Sequence, residues 1–177
     1  IKTLTSLNIS GKSISDLTGI EDFIALTTLN ISNNNLSTLN LISNTSIENL
    51  DCSNNQLTTL DVTLHPSLQT LKANNNQLTA VDLSKNAGLT NLILGANQLT
   101  SLDITKNTLL TDINCNNNSI TTLTVVNDNN VLANLDVSNN KLVAIGLSVL
   151  GGLSDLNLAN NLITNLDISK NTNLTAF

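Results

Sequence analysis

Apolar residues return along this chain with a period of twenty-one. The segments LTTLNISNNNL, IENLDCSNNQL, LQTLKANNNQL, LTNLILGANQL, LTDINCNNNSI, LANLDVSNNKL and LSDLNLANNLI begin at Leu26, Ile47, Leu68, Leu89, Leu110, Leu132 and Leu153. With LTSLNISGKSI from Leu4 and a truncated LTAF from Leu174, the steps are 22, 21, 21, 21, 21, 22, 21 and 21. Residues 1–177 therefore read as a single array of eight coils and a stub. A fixed period of this size points to a solenoid, in which each repeat is one turn that cannot bury its own apolar face.

Counted from the first residue of each coil, apolar side chains fall at positions 1, 4, 6, 11, 14 and 16, as in Leu68, Leu71, Ala73, Leu78, Val81 and Leu83. The alternation around positions 4 and 6 has the two-residue period of a half-buried strand, and it recurs around positions 14 and 16. Two short strands per coil are expected, each pairing in parallel with its counterpart in the next coil about 4.8 Å away.

Position 9 is asparagine in seven coils: Asn34, Asn55, Asn76, Asn97, Asn118, Asn140 and Asn161, with Lys12 the exception. The chain turns there, and an inward amide has both donors and an acceptor for its own turn and for the neighbouring coil. A structural ladder is expected. A second, broken series stands at position 19, with Asn44, Asn86, Asn107 and Asn171 interrupted by His65, Asp128 and Leu150. Asp61, Asp82, Asp103 and Asp167 recur at position 15, and Lys85, Lys106 and Lys170 recur at position 18. Masking of the aspartate column by the lysines is expected. A calcium ladder is disfavoured because each coil brings one carboxylate, whereas calcium takes six to eight oxygens.

Composition narrows the function classes. Leucine (35) and asparagine (33) make up over a third of the chain, while Trp, Tyr, Met and Arg are absent. Seven lysines against thirteen acids give a net charge of -6, which argues against nucleic acid as a partner. No apolar run reaches the length of a membrane-spanning helix.

The pattern L-x-x-L-x-[LC]-x-x-N-x-L-x-x-L-D-L-x-x-N, clearest in DCSNNQLTTLDV and DLSKNAGLTNL, resembles the bacterial leucine-rich repeat in its short, nested 21-residue class. The resemblance implies a mostly β, right-handed leucine-rich repeat solenoid, with a parallel sheet on the concave face and short strands or turns on the convex face. It also implies a secreted or surface-displayed module that binds proteins or glycans, as an adhesin does. The first coil differs: Ile14, Leu17, Ile20 and Phe23 are spaced by three, which suits 3₁₀ turns and is similar to internalin repeats. The two-strand description should fail at residues 10–25. Neither end carries a polar cap, so a fragment of a longer protein is expected, and the molecule is expected to be a monomer or part of a larger chain.

Catalytic and cofactor chemistry is not expected. Cys52 and Cys115 share position 6 three coils apart, roughly 14 Å at the strand spacing, too far for a disulfide. They read as buried thiols. His65, the one imidazole, stands beside Pro66 with Asn44 and Asn86 as coil neighbours, and reads as a turn residue hydrogen-bonded locally. No base is aligned with a nucleophile, no metal set emerges, and no phosphate loop occurs.

A partner would meet the outward positions of the first sheet. Position 5 runs Asn8, Asn30, Asp51, Lys72, Ile93, Asn114, Asp136 and Asn157, and position 3 includes Asn91 and Asp112. Asp51, Lys72, Asn91, Ile93, Asp112 and Asn114 form the candidate partner-binding patch, with Ile93 read as an exposed aliphatic. A second candidate is the irregular stretch TVVNDNNV with Val143, Gly146, Val149 and Leu150 in the following coil. Other readings are a spacer presenting another domain, and an ice-binding threonine array, for which only Thr122 with Thr124 supplies the required pair.

Overall fold

The computed structural model describes residues 3–125 and 130–176. Its main feature is a parallel sheet of eight three-residue strands, one per coil: β1 (Ser6–Asn8), β2 (Thr28–Asn30), β3 (Asn49–Asp51), β4 (Thr70–Lys72), β5 (Asn91–Ile93), β7 (Asp112–Asn114), β9 (Asn134–Asp136) and β10 (Asp155–Asn157). The register is that of the repeat, with Leu29, Leu50, Leu71, Leu92, Ile113 and Leu135 side by side. These central residues point into the core, while both neighbours in each strand face outward. Positions 1, 4, 6, 11 and 16 stack into one continuous core. This is the solenoid expected from the period, of the leucine-rich repeat kind that the resemblance implied.

The second half of the coil departs from the two-strand reading. Among the described residues, only β6 (Ser101–Asp103) and β8 (Thr122–Thr124) pair there, as a two-stranded sheet. The other described coils pass through turns. The aspartates at position 15 do not separate the two kinds of coil: Asp61, Asp82, Asp103 and Asp167 each accept a hydrogen bond from the backbone N–H two residues on, at 2.9 Å, and Asp103 does so from the end of β6. In the first coil a 3₁₀ turn at Ile20–Asp22 replaces the second strand, within the stretch where failure of the repeat was expected.

The asparagine ladder spans all seven coils. Each Nδ2 donates to the position 6 carbonyl of the preceding coil, as Asn76 does to Cys52 at 3.0 Å and Asn97 to Ala73 at 2.9 Å. Each Oδ1 accepts the position 11 N–H of that same preceding coil, as from Leu57 at 2.9 Å. The ladder thus reaches backward only, and Lys12 in the first coil has no counterpart bond. The residue before position 9 adopts a left-handed conformation in every coil, at Gly11 before Lys12 and at Asn33, Asn54, Asn75, Ala96, Asn117, Asn139 and Asn160 before the ladder asparagines, with φ between 52° and 64°. Asparagine and glycine tolerate this conformation best, so the doubled Asn-Asn has two separate causes. Ala96 lacks the local hydrogen bonding that eases it.

The position 19 series is a second ladder. Asn86 donates to the carbonyls of Val62 and His65, both at 2.9 Å, and Asn44, Asn107 and Asn171 repeat the pattern. Asp128, in the interrupted part of that series, lies outside the described residues. His65 breaks the ladder physically: it is 2% exposed, and neither ring nitrogen has a hydrogen-bond partner. This corrects the expectation of a locally bonded turn histidine, because the imidazole sits inside the core column rather than on the turn surface. His65→Asn restores donors to the carbonyls of Leu41 and Asn44, and stability is expected to rise by about 1 kcal/mol. A lower urea midpoint would overturn this account.

Candidate functional site

The six residues of the candidate patch lie on adjacent strands. Asp51, Lys72, Ile93 and Asn114 are consecutive register partners across β3, β4, β5 and β7, and Asn91 pairs with Asp112. All six are half-buried. For Ile93 this corrects the reading of an exposed aliphatic, since Lys72 and Asn114 flank it in register.

Position 5 has a structural duty that the sequence reading missed. Asn8, Asn30, Asp51, Asn114, Asp136 and Asn157 each accept the backbone N–H two residues on, at 3.0 to 3.1 Å. Where that residue is serine its hydroxyl joins the bond, as from Ser53 to Asp51 at 2.6 Å. The signal was present as the recurring Asn/Asp-x-Ser of NIS, DCS and DVS. Lys72 and Ile93 have no acceptor and cannot perform this duty. The departure continues along the fifth coil, where glycine stands at Gly95 and the left-handed site is Ala96. A Cβ at Gly95 would lie 2.5 Å from Asn116 Oδ1, so the glycine lets the Asn116 side chain lie across it.

Beyond Ile93 the face becomes an open groove of about 630 Å³ lined by residues of β5, β7, β9 and β10. Its carboxylates are Asp112, Asp136 and Asp155. Asp112 accepts from Thr111 Oγ1 and Asn134 Nδ2, Asp136 from Asn116 Nδ2 at 3.0 Å, and Asp155 from Ser154 Oγ at 2.8 Å. Asn91 Oδ1 is shielded from solvent without a donor.

The other sequence candidates are placed as follows. Cys52 and Cys115 are buried and unbridged, and burial, reinforced by nearby Asp51 and Asp136 respectively, pushes each thiol up to about 12. Such thiols stay protonated and unreactive. On the opposite side, hydrogen bonds from Thr63, Ser84, Thr105 and Ser169 hold Asp61, Asp82, Asp103 and Asp167 below the usual carboxylate range. The charge of Lys85, Lys106 or Lys170 adds a smaller effect, so lysine masking is the lesser cause. Among the described residues no group of acids, histidines and cysteines could hold a metal ion, and no helix is long and apolar enough to cross a membrane.

In the irregular coil Leu150 is fully buried, Val149 half-buried and Val143 62% exposed. Val131, just before that coil, is 50% exposed as well, so the region keeps outward apolar surface beside the buried Leu150. Of the stretch TVVNDNNV, residues 126–129 lie outside the described residues.

A family model described as Leucine Rich Repeat matches residues 25–45. No curated protein matches the chain. Among solved structures, the chain is similar to the functional domain of InlJ from Listeria monocytogenes, described as including a cysteine ladder. Identity there is 42% and the TM-score 0.96, over 99% of this chain and 39% of that one. It is also similar to internalin C2 from Listeria monocytogenes str. 4b F2365, at 25% identity and a TM-score of 0.69 over 98% of this chain and 80% of that one. YopM from Yersinia enterocolitica WA-314 matches at 28% identity and a TM-score of 0.74, over 86% of this chain and 32% of that one. The chain thus spans about two fifths of the length of the InlJ domain.

Proposed function

Because this chain is an internalin-like leucine-rich repeat protein of the bacterial kind, we propose that it is a non-catalytic interaction module that engages its partner through the concave long sheet. The patch of Asp51, Lys72, Asn91, Ile93, Asp112 and Asn114 is the contact surface. One observation carries this reading: Lys72 and Ile93 occupy the only two strand ends of the eight where the side chain does not accept the N–H that closes the turn. A local structural rule given up at two adjacent sites on an outward face marks a surface shaped by something other than folding.

The face has no Trp, Tyr or Arg, the residues on which binding hot spots usually rest. The partner therefore supplies the large anchors, and many polar contacts share the energy. A protein ligand suits this better than a glycan, because no aromatic platform is present for stacking on a sugar ring. Placement on the cell surface or in the medium, with a role in adhesion, belongs to the same proposal.

Ile93→Lys combined with Lys72→Ile, which exchanges the two residues and leaves the charge of the face unchanged, tests the reading. Both side chains face outward, so the fold is expected to be retained within about 1 kcal/mol, while adhesion to cells or an immobilised glycoprotein falls about tenfold or more. Unchanged adhesion would remove this patch and favour a spacer that presents another domain.

A further inference from the structure

We propose that the groove over β5, β7, β9 and β10 receives a basic segment of a protein partner, one that sets an apolar side chain beside lysine or arginine. This rests on the reading of the long sheet as the binding face and adds the chemistry of what binds there.

The charge along the face is uneven. On β1 to β4 the outward charges at positions 3 and 5 are Asp51 and Lys72, which cancel. On β5, β7, β9 and β10 they are Asp112, Asp136 and Asp155, and none of these strands contains lysine. Asp112 and Asp155 stand in the position 3 column with Asn134 between them, while Asp136 stands in the position 5 column between Asn114 and Asn157. The three carboxylates are staggered across the two columns rather than stacked, which spaces their charges over the groove.

Each carboxylate keeps accepting capacity after its internal bonds. Among the described residues Asp155 takes the Ser154 hydroxyl, Asp112 takes the Thr111 hydroxyl and the Asn134 amide, and Asp136 takes the Ser138 N–H and hydroxyl and the Asn116 amide. An ionised carboxyl offers about four lone-pair sites, so room remains for an ammonium or a guanidinium. Ile93 supplies the apolar element at the edge of the same groove. A basic partner meets complementary charge and an aliphatic contact together, whereas an acidic one meets three like charges.

Neutralising these carboxylates need not disturb the fold. Asn30 and Asn114 already perform the turn-closing duty of Asp136, so Asp136→Asn keeps that acceptor. Two labelled ten-residue peptides serve as probes, one alternating lysine with leucine and the other glutamate with leucine. The basic peptide is expected to bind, more weakly as salt rises, and the acidic peptide is not. Combining Asp112→Asn, Asp136→Asn and Asp155→Asn is expected to weaken the basic peptide about tenfold. Combining Asp61→Asn, Asp82→Asn and Asp103→Asn changes the charge equally on the other side of the coil, and binding should stay within about twofold.

Equal weakening by both triple variants would reduce the effect to overall charge and overturn the site. Equal binding of the two peptides, or of neither, would overturn the partner chemistry. If neither binds while Ile93→Lys with Lys72→Ile still abolishes adhesion, the partner chemistry fails and the binding face stands.

Discussion

Replacing Asn76 with alanine is expected to remove roughly 3 to 5 kcal/mol of stability, the cost of several buried polar groups losing their partners at once. Asn76 is 9% exposed. Its Oδ1 accepts the N–H of Leu57 at 2.9 Å, and its Nδ2 donates to the carbonyls of Cys52 at 3.0 Å and Ala73 at 3.2 Å. Leu57 and Cys52 are both fully buried, so water cannot replace the amide where it is lost. Asn76→Asp should be no better, because a carboxylate would face two carbonyl oxygens. Asn75→Ala separates the ladder from its neighbour: that residue is exposed with φ at 55°, and its replacement should cost only about 1 kcal/mol. Urea denaturation measures all three variants. A loss for Asn76→Ala no larger than for Asn75→Ala would mean that the ladder does not hold the coils together.

Gly152→Ala is the second large effect, and its cause is a contact between coils. A Cβ built on Gly152 would lie 2.0 Å from the carbonyl oxygen of Asn130 and 2.7 Å from its carbon, so one backbone segment must move. The expected cost is at least about 3 kcal/mol, the range of severe overpacking. Gly88 occupies the same position 21 in an earlier coil, where a Cβ would meet the Leu68 oxygen at an ordinary 3.5 Å. Gly88→Ala should therefore be nearly silent. Ser46, Ser67 and Leu109 also occupy position 21, which shows that the position accepts side chains in regular coils. What differs at Gly152 is the preceding step of 22 residues, which brings Asn130 against it. Hydrogen exchange can locate the effect, with faster exchange expected in the coils around β9 and β10 than around β2 and β3. Similar stability for the two glycine variants would contradict the steric account.

The candidate surface was legible in part. Stacking of equal positions followed from the period, so the neighbours Asp51, Lys72, Ile93 and Asn114 could be named before any coordinates. Their significance was not legible, because the turn-closing bonds of Asn8, Asn30 and Asp136 depend on where the strand ends, which hydrophobic periodicity does not specify. The half-burial of Ile93 was missed because it depends on the bulk of the register neighbours Lys72 and Asn114, a property of the sheet and not of the coil.

What the sequence determined alone is the repeat register. A spacing of twenty-one with aliphatic residues at fixed positions has one way to bury them together, and the inward asparagine at position 9 requires a carbonyl and an N–H from the coil before it. Those demands are local or nearest-neighbour, and they are met in the same way from Asn34 to Asn161. Tertiary structure decided where the pattern is broken: that the His65 side chain enters a ladder without bonding in it, that among the described residues second strands form only in the fifth and sixth coils, and that Gly152 must leave room for Asn130. Each of these turns on distances between atoms of different coils, to within a few tenths of an ångström, and a pattern of residue types carries no information on that scale.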